Sequence, residues 1–157
     1  MNEEQYISLD RMRFTKNTTS SRLALLAIVF DVLFFISIYK SDVENYYYTI
    51  LIGASIIYNL VFLLAAFLCS EGVKNYKPGY SWALMVLGVI QIVRIFILPL
   101  NAHSTVLTSG QVMGDFQFIR LIIYMAASAA CLFASAIINL QKSRALTAHQ
   151  ASLAGQA

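Results

Sequence analysis

The chain has 157 residues, of which 59% are hydrophobic and 12% charged, and a formal net charge of +3. Soluble domains carry about 25% charged residues, so this composition excludes an ordinary water-soluble domain and points to a bilayer. The basic residues are distributed over termini and loops rather than gathered into a stripe, which leaves no footprint for a nucleic-acid partner.

In chain order, residues 1–21 form a polar lead-in that reads as a cytoplasmic arm. Tyr6, Leu9, Met12 and Phe14 fall on one face, the pattern of a short interfacial helix. Thr18 to Ser21 supply hydroxyls able to cap the helix that follows. The first apolar run, residues 23–39, is bounded by Arg22 and by Tyr39 and Lys40, side chains at home at a membrane interface. Asp31 sits at its centre, where a short carboxylate cannot reach the headgroups and must pair, take a proton or face water. That acid, the long lead-in and the lack of a small-residue cleavage site mark the run as a helix rather than a signal peptide.

A tight outer turn at residues 40–45 leads to Tyr46, Tyr47 and Tyr48, an aromatic anchor, and to the second run, residues 48–68, which contains Asn59. Gly72, Asn75, Pro78 and Gly79 then mark the inner hairpin. The third run, residues 81–100, carries Gln91 and Arg94 one helical turn apart, and Pro99 predicts a bend or stop just beyond Arg94. Residues 101–117 read as one long outer loop. The fourth run, residues 118–140, is rich in small residues: Ala126, Ala130 and Ala134 make one stripe, and Ala127, Cys131 and Ser135 the next. Such small-x-x-x-small patterns let helix backbones approach closely in lipid. Residues 141–157 are expected to be a fraying helix and then a partly disordered cytoplasmic tail.

Each run is roughly 17–23 residues, the span of a core about 30 Å thick. The predicted fold is therefore an all-α integral membrane domain over residues 22–140, a four-helix bundle running up-down-up-down. Arg11, Arg13, Lys16 and Arg22, Lys74 and Lys77, and Lys142 and Arg144 lie on one side of this topology, whereas of the two loops on the other the first has only Lys40 and the second no Lys or Arg. Positive residues mark the cytoplasmic side, so both termini are expected there, in a bacterial inner membrane or a plasma membrane.

Placed by depth, Asp31, Asn59, Gln91 and Ser128 form one intramembrane polar layer, and Arg94 leans toward Asp31 because helical side chains tilt toward their N-terminus. A guanidinium reaching that carboxylate would join the first and third helices. No cofactor, metal or catalytic set is expected. His103 and His149 fall on opposite sides of the membrane, Cys69 and Cys131 differ in depth by roughly 15 Å, and nothing in the spacing selects Ser104 or Ser109 as a nucleophile beside His103 and Asp115. The expected function is that of a non-enzymatic subunit or assembly partner of a membrane complex. It would associate with another membrane protein or with itself through Ala126, Ala127, Ala130, Cys131, Ala134 and Ser135, with Asp31 and Arg94 fixing helix packing. The alternative expectation is a small homo-oligomeric ion- or proton-coupled transporter or channel using Asp31, Gln91 and Arg94.

Overall fold

A computed structural model describes residues 16–38, 46–104, 106–107, 110–111 and 113–154. Among the described residues, four helices are long and apolar enough to cross a membrane. They are α1 (Thr18–Ile38), α2 (Tyr46–Lys74), α3 (Pro78–Ile97) and, after a six-residue α4 (Pro99–Ser104), the 40-residue α5 (Asp115–Ala154). The interfacial helix expected around Tyr6 to Phe14 and the outer turn at residues 40–45 lie outside the described residues.

Buried positions recur at steps of three or four along the long helices. On α1 they are Ala24, Ala27, Asp31, Phe34 and Ile38, and on α3 Ser81, Leu84, Gly88, Gln91 and Arg94. On α5 they are Leu121, Met125, Ser128, Leu132, Ser135 and Asn139. That 3.5-residue repeat is the seam of a helix bundle with knobs-into-holes packing. The seams are unusual in what they hold: more than half of the residues just named are polar or small. Large apolar side chains point out instead, with Ile57, Leu60 and Phe96 each more than 60% exposed. Water would drive such side chains inward, whereas lipid tails accept them, so the inside-out distribution suits a bilayer.

Hydrogen bonds show how the helices pair. Between α1 and α5 they join Ser20 with Ser135, Ala27 with Ser128, and Ser37 with Gln117, so residue numbers rise along one helix as they fall along the other. Asn139 of α5 reaches Ser81 of α3. Two apolar clusters fill the interior. Ala24, Ala27, Phe62, Leu84 and Leu132 belong to one, and Phe34, Ile38, Leu121 and Met125 to the other. Asp31, Gln91, Arg94 and Ser128 fall between them in sequence on their helices.

The ends of the elements differ from the sequence expectation for identifiable reasons. The second helix continues past residue 68 to Lys74, because Gly72 stays helical beneath the Tyr80 ring; a Cβ there would meet that ring at 2.2 Å. The helix then closes with Lys77 N–H bonded to the Gly72 carbonyl and Tyr76 N–H to that of Val73, the two bonds of a Schellman motif. The left-handed position of this motif, at φ 59°, is held by Tyr76 rather than by a glycine. Tyr76 is nearly covered, and that burial pushes its phenol pKa up. Pro78 opens α3 at its first turn, where the missing N–H costs nothing, three residues before the expected start. At the other end α3 stops at Ile97, and Pro99 begins the separate α4.

The stretch expected as a 17-residue loop holds the end of α4, an antiparallel pairing of Val106–Leu107 with Gly110–Gln111 and the start of α5. The fourth spanning helix starts at Asp115, an acid suited to the positive end of a helix dipole. Residues 141–154 continue α5. Lys142 is tethered to Asn17 at 3.3 Å and Ser143 is buried, so the first turn of the extension is held by tertiary contact. The Ala-rich remainder has good helix propensity.

Candidate functional site: the intramembrane polar layer

Asp31 on α1 is fully buried, and its Oδ1 accepts two hydrogen bonds from α3: Gln91 Nε2 at 2.8 Å and Arg94 Nη1 at 3.1 Å. The residues at 91 and 94 face the same neighbour because they lie three apart on one helix. Arg94 reaches a third helix through Nη2, which donates to Ser55 Oγ of α2 at 3.0 Å. Its guanidinium carbon also lies 4.3 Å from the centre of the Tyr58 ring and 4.6 Å from that of Phe34, both within cation–π range. Tyr58 donates to Gln91 Oε1 at 3.4 Å. One guanidinium therefore ties α1, α2 and α3 together.

The layer is not fully satisfied. Asp31 Oδ2 and Arg94 Nε are buried with no hydrogen-bond partner, and so are both amide atoms of Asn59. Asn59 thus shares the depth of the layer without joining its bonds. Ser128 also stands apart: it donates to the Ala27 carbonyl at 3.0 Å and so fastens α5 to α1. Ser55 takes part in the network, although its sequence context suggests only a small packing residue. The available signal was its position four residues before Asn59, on the same stripe of the helix.

A second polar cluster lies about 14 residues, or roughly 20 Å, back along α1. Asn17 caps α1 by accepting the Ser20 N–H at 3.4 Å, and its Nδ2 donates to Asn139 Oδ1 at 2.9 Å. Asn139 Nδ2 in turn donates to Ser81 Oγ at 2.7 Å, linking three helices. Ser20 and Ser135 each donate to the other's carbonyl. The cap of α1 is thus Asn17 rather than Thr18 to Ser21, and Ser20 serves a helix contact.

The small residues of α5 divide by face. The seam toward α1 and α3 uses Ser128, Ala129, Leu132, Ser135 and Ala136. Ala126 and Ala130 are exposed, and Ala127, Cys131 and Ala134 are half-buried along the edge. Beyond the bundle, His103 stacks on Phe118 with ring centres 4.3 Å apart, and its Nε2 is 3.6 Å from Asp115 Oδ1. Ser109 lies outside the described residues. Cys69 and Cys131 are free thiols. Among the described residues, no three His, Cys, Asp or Glu side chains are grouped to hold a metal ion.

No family model, no curated protein and no solved structure matches this chain.

Proposed function

We propose that this multi-pass protein is a non-enzymatic subunit or assembly partner of a membrane complex, with up-down-up-down topology and both termini on the cytoplasmic side. The observation that supports it is the division of α5. The bundle packs on Ser128, Leu132 and Ser135, while Ala126 and Ala130 stay exposed one turn apart on an outer flank. Small residues facing lipid leave room for the close approach of another helix, in this chain's second copy or in a different membrane protein. Asp31 and Arg94 serve in this reading to fix helix register, the best-attested use of a buried ion pair.

The test is association in native membranes and mild detergent. Ala126→Trp and Ala130→Trp should abolish co-purification or self-association while leaving the thermal unfolding of the isolated chain unchanged. A wild-type protein that is a monodisperse monomer with no co-purifying membrane protein overturns the proposal. A second reading, an ion- or proton-coupled transporter working through Asp31, Gln91 and Arg94, draws on the unpartnered Asp31 Oδ2 and Arg94 Nε. Loss of flux in Asp31→Asn at wild-type stability would favour it over the scaffold.

A further inference from the structure

Between α2 and α3 lies a recess of about 310 Å³, the lower end of the range for ligand pockets. Its walls are apolar, including Ala54, Ile90, Val93 and Ile97, and Ser55, Tyr58 and Arg94 supply its polar groups. Val93 and Ile97 are half exposed, so the recess opens sideways, toward what the membrane reading makes hydrocarbon rather than water. Arg94 itself is only 5% exposed. Of its five N–H groups, one serves Asp31 and one Ser55, and Nε is buried without a partner. A donor left idle in a dry site is costly unless an acceptor relieves it.

Three constraints select what would. The occupant must enter from the bilayer, so it carries an apolar body. It must present an acceptor to the guanidinium. The acceptor should be neutral, because Asp31 at 3.1 Å already balances Arg94 and a further buried anion would stand uncompensated. Depth adds a fourth constraint. Arg94 lies three residues, or about 5 Å, from the end of α3 at Ile97. A 20-residue helix matches the hydrocarbon thickness, so this is close to the boundary at which lipid ester carbonyls reside.

We infer that the α2–α3 recess is a binding site for one acyl chain of a bilayer lipid, with the lipid's ester carbonyl accepting a hydrogen bond from Arg94. The chain runs down from Arg94 between Val93 and Ala54 toward Ile90 and Tyr58.

The test uses the full-length protein in nanodiscs holding equal amounts of a diester phosphatidylcholine and its diether analogue of matched chain length, with retained lipid read by native mass spectrometry. The diester should be retained over the diether by about tenfold, the worth of one hydrogen bond from a charged donor. Because Arg94 variants can fail to fold, Ala54→Phe supplies the independent arm. It fills the recess from an exposed position and should remove the retained lipid without lowering the unfolding temperature. Equal retention of ester and ether, or undiminished retention in Ala54→Phe, overturns the site. Displacement of the diester by an equimolar fatty-acid anion overturns the assignment of a neutral carbonyl.

Discussion

Replacing Arg94 with Gln isolates what the ion pair contributes. The substitution removes the 3.1 Å bond to Asp31, the 3.0 Å bond to Ser55 and both ring contacts. Asp31 Oδ1 keeps only the Gln91 donor, and Oδ2 has none. Stripping one partner from a buried pair costs about 3–5 kcal/mol, and the lost cation–π contacts add roughly 1 kcal/mol. Asp31→Asn is expected to cost a similar amount through the opposite defect, a guanidinium without its counter-ion. The double variant Asp31→Asn/Arg94→Gln leaves neither charge, so its cost should fall short of the summed singles by at least about 2 kcal/mol. The exchange Asp31→Arg/Arg94→Asp should likewise recover part of the stability of either single exchange variant. Equilibrium unfolding in mixed micelles measures this, followed by helical circular dichroism. Additive single costs, or an Arg94→Gln protein as stable as wild type, would refute the reasoning that the two charges hold each other in the seam.

Other expectations follow from particular contacts. Gly72→Ala places a methyl inside the Tyr80 ring, which starts at 2.2 Å, so it should cost about 1–3 kcal/mol, and pairing it with Tyr80→Ala should recover most of that loss in thermal unfolding. Gly88→Ala is milder, since the Phe133 ring edge at 3.0 Å can yield; a drop in unfolding temperature as large as that of Gly72→Ala would contradict the packing. Asn139→Leu strands the amide of Asn17 and the hydroxyl of Ser81, for an expected loss of about 2 kcal/mol, with faster amide exchange at the start of α1 as the local readout. Truncation after Arg144 retains Lys142 and Ser143 and should leave the bundle's unfolding unchanged, whereas truncation after Leu140 should lower it.

Much of the architecture is legible in the residue order because a helix converts sequence distance into depth at a constant rate. Four apolar runs of spanning length, separated by turn-formers and basic loops, require no knowledge of contacts. The same linear rule put Asp31, Asn59, Gln91 and Ser128 at one level and Arg94 slightly beyond. Depth says nothing, however, about the angle at which a side chain leaves its helix axis, and that angle is set by neighbours. At equal depth Gln91 meets Asp31, Asn59 meets no partner, and Ser128 turns to the Ala27 carbonyl. Ser55, near the start of the second span, enters only because Arg94 extends across the gap to it.

The cluster at the other end of the bundle was hidden for a related reason. Asn17 and Asn139 are separated by 122 residues, and each alone has a local explanation as a cap or an end signal. Only the antiparallel pairing of α1 with α5 makes them neighbours. Helix lengths beyond the apolar runs were likewise decided by contact: Tyr80 lying on Gly72 carries α2 to Lys74, and Lys142 holding Asn17 carries α5 past Leu140. Composition and period by themselves determined the spans and the level of each polar group, since those depend on hydrophobicity and helical rise alone. Tertiary structure decided which polar groups pair, which face of α5 is consumed and where a recess remains beside Arg94, because those depend on rotation about helix axes that only mutual packing sets.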